Sequence, residues 1–144
     1  MAKVSKSIVV NASPDKVMSV ISDYAHYSDF LPEVKGVQVG AVSGNAVEVT
    51  YDVDLKIKRI KYTLRHQKDS ELKASWSLLR GEFMKGNDGS WMLAPIEGGA
   101  KTEATYAIEL KLGALVPSSV EKALAENSLP SLLENFKRRV ETKA

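Results

Sequence analysis

Cysteine is absent from this chain, and histidine occurs only twice. Without cysteine there can be no disulfide framework, no thiolate zinc site and no cysteine nucleophile. Two histidines also argue against a histidine-rich metal site. We therefore expect no metal ion and no cofactor.

Long apolar runs and a strong charge imbalance are lacking as well. The longest apolar runs are short, such as Ile8-Val9-Val10, whereas a membrane span needs ~20 residues. The charged N-terminus is not followed by the ~7–15 apolar residues of a secretory signal, so we expect a cytoplasmic protein. The 20 basic and 18 acidic residues leave a net charge of +2, which is too close to neutral to predict nucleic-acid binding.

The composition is that of one soluble globular domain. The chain has 144 residues, of which 44% are hydrophobic and 26% are charged. Domains most often run to ~100–150 residues. No internal repeat, low-complexity tract or linker rich in proline, glycine and serine divides the chain. We therefore expect residues 1–144 to form a single domain.

Apolar and polar residues alternate with a period of two from residue 34 to residue 112. The alternation has no error over residues 47–58, where six apolar residues face six polar ones, as in a half-buried antiparallel strand. Turn signals divide the whole region into about six strands, and residues 3–11 add another before it. The turn signals lie at 43–45, 69–71, 81 and 98–99.

Helical signals stand on either side of this strand region. Ser13 and Pro14 are suited to the start of a helix, and apolar spacing extends it over residues 14–22. The segment Tyr24–Pro32 can form a second short helix. A helical apolar face returns over residues 118–142, a length of ~37 Å. Pro130 within that span is expected to kink or break the helix.

The order of these elements predicts the architecture. A sheet with one apolar face must cover that face, and only the C-terminal helix is long enough to do so. We therefore predict an α+β helix-grip fold. In this fold a curved antiparallel sheet of about seven strands wraps around a long C-terminal α-helix, with one or two short helices after the first strand.

Several short phrases, taken in their order and spacing, resemble a known family. They are Ala12-Ser13-Pro14-Asp15-Lys16-Val17, Ser22-Asp23-Tyr24, Phe30-Leu31-Pro32-Glu33-Val34, Gly81-Glu82-Phe83 and Gly89-Ser90-Trp91-Met92-Leu93-Ala94-Pro95, followed by 99–106 and 115–117. The chain is similar to the START-like (SRPBCC) superfamily, and within it to the polyketide cyclase/dehydrase and coenzyme Q-binding branch. The resemblance implies the same helix-grip fold. Family members bind lipids, quinones or polyketides, some cyclise polyketide chains, and one bacterial branch is described as a ribosome-association toxin.

In a helix-grip fold a ligand lies between the sheet and the helix. The candidate ligand-binding residues are those on the inner phase of the strands, with two more on the long helix. They are Tyr51, Tyr62, His66, Trp76, Trp91, Tyr106, Leu124 and Asn127. Such an apolar wall with a few polar tips suits a lipophilic molecule. The alternative is that these side chains form an ordinary core around a collapsed cavity.

Two of these candidates carry alternatives of their own. His66 is either a proton donor or acceptor inside the cavity or a histidine exposed at the end of a strand. The polar residues that follow it, Gln67-Lys68-Asp69, favour exposure. Asn127 is either a hydrogen-bonding partner for a ligand or a polar helix residue near a boundary before Pro130, and the sequence does not choose between them.

The aromatic segment after the first helix is expected at one mouth of the cavity. Tyr27, Phe30 and Leu31 would then act as a lid or make transient contact with a membrane. Alternatively the segment tucks its side chains into the core, and the solubility cost of exposed apolar surface favours this second interpretation.

Binding is favoured over catalysis, because no catalytic motif is present. Arg59, Arg65 and Arg80 lie off the inner phase, which counts against a cyclase that holds a carbonyl chain. The leading hypothesis is binding or transport of a lipid, an isoprenoid quinone or a polyketide-like molecule. The alternatives are a polyketide cyclase or dehydratase and a regulator that interacts with the ribosome or with another protein.

Overall fold

The alternating region of the sequence becomes six of the seven strands in the computed structural model of the chain. The structure describes residues 2–54, 59–113 and 116–142, and in its last helix the side chains of 119, 122 and 129–142. The strands are β1 (Ala2–Val10), β2 (Val34–Ser43), β3 (Ala46–Asp54), β4 (Arg59–Ser70), β5 (Lys73–Gly81), β6 (Met84–Ile96) and β7 (Lys101–Leu112). The α-helices are α1 (Pro14–Ile21) and α2 (Ser118–Thr142), and two 3-10 helices span Tyr24–Asp29 and Glu97–Gly99.

The seven strands form one curved antiparallel sheet in the order β1-β7-β6-β5-β4-β3-β2. Strands β2 to β7 follow one another as hairpins, while β1 pairs along its whole length with β7. The first strand therefore lies beside the last, next to the helix that follows β7. The predicted α+β helix-grip fold is confirmed.

Alternating burial in β3 follows the alternation in the sequence. Val49, Tyr51 and Val53 are buried, and the polar residues between them are only partly covered. Leu55 and Ile57, which continue the pattern in the sequence, lie outside the described residues. The period of two thus identifies which side chains face the interior.

The helix after β1 begins where the sequence predicts. Ser13 occupies the N-cap position with extended backbone angles, and Pro14 is the first helical residue. The Ser13 hydroxyl donates to the Asp15 carboxylate at 2.5 Å, and its oxygen accepts no hydrogen bond from the backbone N–H groups of the helix. The second short helix is present as the 3-10 turn Tyr24–Asp29.

Pro130 was expected to kink or break the helix, and α2 continues through it without a break. A proline inside a helix costs ~3 kcal/mol, but burying one Leu or Phe side chain contributes ~1.5–3 kcal/mol. Leu133 and Phe136 are buried beyond the proline, whereas Pro130 itself is exposed. Packing on the apolar face therefore outweighs the local defect.

The end of α2 is attached to the end of β1 by polar contacts. The Lys137 ammonium donates to the Val9 carbonyl at 2.9 Å and to the Glu141 carboxylate at 2.5 Å. The same carboxylate accepts from the backbone N–H of Asn11 at 2.8 Å. In the described part of the chain, no helix is both long and apolar enough to cross a membrane.

Candidate functional site

A cavity of about 190 Å³ lies between the concave face of the sheet and α2. The strands β3 to β7 supply most of its wall, and Leu129, Leu132 and Phe136 of α2 cover it. The cavity is partly open to solvent. Protein interiors seldom contain voids much larger than a water molecule, so a space of this size is a specific feature of the fold.

All six strand residues predicted for the inner face line this cavity: Tyr51, Tyr62, His66, Trp76, Trp91 and Tyr106. Their side chains alternate with outward ones along each strand, which brings them to one face. Leu124 and Asn127 lie in α2, but their side chains are outside the described residues. A role of these residues in binding stays a prediction.

Ring contacts connect this wall to α2. Trp76 lies 5.3 Å from Tyr106 between ring centroids, Tyr106 lies 4.9 Å from Trp91, and Trp91 lies 5.1 Å from Phe136. Such spacing is typical of favourable aromatic pairs. The wall is therefore a connected and well-packed surface that joins the sheet to α2.

The aromatic segment after α1 is tucked into the protein. Tyr27 and Leu31 are buried and line the cavity, and the Tyr27 hydroxyl donates to the Ile21 carbonyl. Phe30 is partly buried, with its ring centroid 5.0 Å from that of Phe136. The core alternative therefore describes this segment better than an exposed lid.

His66 is buried, with only 6% of its surface exposed, so the expectation of an exposed strand end is wrong. The ring of Tyr24, which comes from the 3-10 helix, stacks on the imidazole at 4.2 Å between centroids. This cover comes from residues distant in sequence, and the polar run after His66 could not indicate it. Burial lowers the pKa of His66 to about 3, so the imidazole is neutral at neutral pH.

His66 forms a buried hydrogen bond with Tyr51, whose hydroxyl lies 2.7 Å from Nε2. Burial raises the pKa of Tyr51 well above its usual value, so the phenol keeps its proton. In the neutral pair, the phenol carries one O–H hydrogen and the imidazole carries one N–H hydrogen. The hydrogen bond between the two side chains uses one of these hydrogens. The second hydrogen, on Tyr51 or on His66 Nδ1, is left as a donor.

A second buried pair joins Trp76 to Asn87, which the sequence prediction missed. The indole N–H of Trp76 donates to the Asn87 side-chain oxygen at 2.9 Å, and Asn87 is only 4% exposed. Asn87 and Gly89 precede Trp91 at intervals of two residues in β6. Extending the period of two backward from Trp91 would have placed Asn87 on the inner face.

Three further polar groups at the cavity are not hydrogen-bonded in pairs. Glu33, Tyr62 and Tyr106 all line it, and within the described residues their carboxylate and hydroxyls form no hydrogen bond with another protein group. No fully buried polar atom in that part of the chain lacks a partner, so these three groups are in contact with solvent. Burial raises the pKa of Tyr62 and of Tyr106, and the nearby Glu33 carboxylate raises both further. Glu33 was not predicted, because it precedes β2 and belongs to no periodic pattern.

The three arginines considered for a cyclase site all point away from the cavity. Arg59 forms a two-pronged contact with the Asp52 carboxylate at 2.8 and 3.0 Å on the surface. Arg80 lies 3.7 Å from Glu48, and Arg65 is exposed. Among the described residues, no three histidines or carboxylates gather into a group that could hold a metal ion.

The sequence of this chain is similar to a known family and to a curated protein. Residues 1–142 match the family model described as "Polyketide cyclase / dehydrase and lipid transport". A curated relative, the ribosome association toxin RatA of Vibrio cholerae serotype O1, is 29% identical over 112 residues. That alignment covers 78% of this chain and 74% of the toxin.

Solved structures share the fold at low sequence identity. A START superfamily protein from Mycobacterium smegmatis is 23% identical, with a TM-score of 0.88 and 98% of each chain covered. The Zhui aromatase/cyclase from Streptomyces sp. R1128 is 18% identical, with a TM-score of 0.75 and with 96% of this chain and 94% of the other covered. At these identities the likeness shows the fold alone.

Proposed function

Because the chain belongs to the polyketide cyclase / dehydrase and lipid transport family, we propose that it binds a hydrophobic small molecule in the cavity between its sheet and α2. The molecule would be a lipid, an isoprenoid quinone or a polyketide-like compound, and the protein would hold or carry it. The proposal treats residues 1–144 as one domain acting in the cytoplasm.

The observation that carries this proposal is the unfilled space itself. A space lined by apolar side chains costs free energy, because the lining lacks packing partners on one side. A chain with no use for the space could fill it with larger side chains, so the retained cavity supports a binding role.

Burial would supply most of the binding free energy. Each buried methylene group contributes ~0.8 kcal/mol, and Trp76, Trp91 and Tyr106 offer flat apolar surface to a ring. A cavity of ~150 Å³ lined by apolar side chains binds benzene. The space seen here therefore accommodates a ring or the end of a chain, and the rest of a longer ligand would extend through the opening.

Organic extraction of the purified protein followed by mass spectrometry tests this function. We expect a stoichiometric hydrophobic compound in the extract. Leu110→Trp places an indole in the cavity wall and should abolish retention of the compound, while Leu79→Trp, at a 44% exposed site in β5, should not. Equal retention by the two variants, or no compound and no binding of apolar probes, would contradict the proposal.

Proton-transfer chemistry has less support. A cyclase or dehydratase needs an acid and a base within reach of its substrate. His66 lines the cavity, but a pKa of about 3 leaves no proton on it to donate as an imidazolium at neutral pH. We infer that the Tyr51–His66 pair orients a ligand by hydrogen bonding rather than by exchanging protons with it.

Ribosome association is a second candidate function, favoured by the 29% identity to RatA over most of this chain. We expect that such a role would appear as co-sedimentation with ribosomal subunits that weakens as salt is added, since contacts with RNA phosphates are salt-dependent. Absence of co-sedimentation at low salt would remove this candidate and leave the cavity proposal intact.

A further inference from the structure

Among the described residues, the polar side chains at the cavity form two hydrogen-bonded pairs and one group whose members are not hydrogen-bonded to protein. Tyr51 is paired with His66, and Trp76 is paired with Asn87. The third group, which we term the polar end, consists of Glu33, Tyr62 and Tyr106. In the described part of the chain its carboxylate and its two hydroxyls form no hydrogen bond or ion pair with another protein group, and all three are reached by solvent through the open cavity.

Separate elements hold the polar end in place. The Glu33 carbonyl accepts from the backbone N–H of Asp54 at 2.8 Å, which holds Glu33 against the end of β3. Tyr62 lies opposite Tyr51 in the β3–β4 pair, and Tyr106 lies opposite Trp91 in the β6–β7 pair. The three groups are thus positioned by the sheet and not by one another.

The polar end has hydrogen-bonding capacity that no other protein group uses in the described part of the chain. A carboxylate can only accept hydrogen bonds, whereas each tyrosine hydroxyl can donate one. Water can satisfy these groups while the cavity is open, but a ligand that displaces this water without replacing its hydrogen bonds leaves the groups buried and unpaired, at a cost in free energy. A ligand hydroxyl fits both demands, because it donates one hydrogen and its oxygen accepts another.

We propose that the polar end binds the hydroxyl group of an uncharged ring-bearing ligand, a phenol or an alcohol, which donates to Glu33 and accepts from Tyr62 or Tyr106. This inference rests on the proposed binding function and specifies its ligand class. Ligands whose polar group is an anion, such as fatty acids, are disfavoured, because their carboxylate would face that of Glu33. A purely apolar ligand leaves the three groups unpaired.

Three probes of the same shape test the inference: 4-ethylphenol, ethylbenzene and 4-ethylbenzoate. A single substituted ring suits the 190 Å³ cavity. The chain has two tryptophans, and both line the cavity, so their indole N–H signals report binding in NMR titrations at neutral pH. We expect 4-ethylphenol to bind at least tenfold more tightly than either of the other two probes.

The decisive variant is Glu33→Gln, which retains the shape of the side chain and removes its charge. We expect it to weaken 4-ethylphenol about tenfold, since a charge-assisted hydrogen bond becomes a neutral one. The same variant should strengthen 4-ethylbenzoate about tenfold, because the like-charge repulsion is gone. Glu48→Gln, which makes the same change on the outer face near Arg80, should alter neither affinity.

The possible results separate the inference from the function on which it rests. If none of the three probes shifts either indole signal, the cavity-binding function fails and the inference fails with it. If the probes bind with equal affinities, or if Glu33→Gln changes them all in the same direction, cavity binding stands and the hydroxyl inference is overturned. Opposite changes for the phenol and the benzoate are the result that supports it.

Discussion

The indole of Trp76 lies against the backbone of β6 where position 89 has no side chain. A β-carbon at Gly89 would approach Trp76 Cζ2 to 2.2 Å and the Ala107 carbonyl oxygen to 2.6 Å. Glycine is thus required there for space and not for backbone conformation. The same close approach lets Trp76 reach Asn87 and complete the cavity wall.

Gly89→Ala is accordingly expected to destabilise the fold. Overpacking of this kind costs ~1–3 kcal/mol, and urea unfolding should show that loss in the free energy of unfolding. Gly36→Ala is the matched control, since its β-carbon would meet nothing closer than Asp52 Cβ at 3.6 Å. Equal stabilities of the two variants would show that Trp76 moves aside without strain.

His66 should make stability depend on pH below neutrality. The unfolded chain has a histidine pKa of ~6.5, whereas the folded pKa is about 3, so the unfolded state binds the proton first as the pH falls. Stability from this residue is therefore complete above pH ~6.5 and lost progressively toward pH 3. By pH 5 the loss amounts to roughly 2 kcal/mol.

Urea unfolding at pH 7 and pH 5 measures this effect. His66→Gln should show a smaller loss of stability between the two pH values than the parent protein. His26→Gln is the control, because His26 lies on the surface beside Asp23 and its replacement leaves His66 in place. The interpretation fails if His66→Gln and the parent lose equal stability.

At the scale of elements, α2 is attached to the sheet by its apolar face and by its C-terminal contacts. Leu133, Phe136 and Val140 are buried along that face. Lys137 and Glu141 join the same turns to the end of β1 through Val9 and Asn11. Because α2 covers the cavity, these contacts also determine how firmly the cavity is closed.

Replacing Glu141 by alanine should weaken this attachment. Hydrogen bonds from Lys137 and from the Asn11 backbone lower the pKa of Glu141, which shows that its charged form is stabilised in the folded state. We expect a loss of about 1 kcal/mol in urea unfolding at pH 7, and a smaller loss as the pH falls through the carboxylate range. Glu134→Ala, at an exposed site on the same helix, should change little.

At the scale of the whole molecule, the sheet and α2 together enclose a space that neither encloses alone. Seven strands curve around the helix. The first strand, β1, pairs with the last, β7, and α2 packs against both of them. The cavity is thus a property of the assembled fold. Anything that occupies it stabilises the folded state over the unfolded one.

A bound probe should therefore raise the stability of the whole domain. With 4-ethylphenol at ten times its dissociation constant, the free energy of unfolding should rise by ~1.4 kcal/mol. Differential scanning calorimetry would show this as a higher Tm that depends on probe concentration. Leu110→Trp, with its cavity wall altered, should show no such dependence, and a concentration-dependent Tm in this variant would locate the probe elsewhere.

The sequence by itself determined the sheet and its inner face. An alternating pattern needs only the geometry of a strand, so the positions of Tyr51, Tyr62, Trp76, Trp91 and Tyr106 at the cavity followed from counting residues. The start of α1 at Ser13 and Pro14 was equally local. Strand alternation and helix starts depend on residues that are close together in the chain, so they can be predicted directly from the sequence.

Only the tertiary structure decided the chemistry inside. His66 is buried because Tyr24, 42 positions away, stacks on it, and α2 runs through Pro130 because its buried face outweighs a local defect. Glu33 shares the cavity with Tyr62 and Tyr106 because three distant segments meet there. Burial and partners depend on these long-range contacts, and no local pattern of residues encodes them.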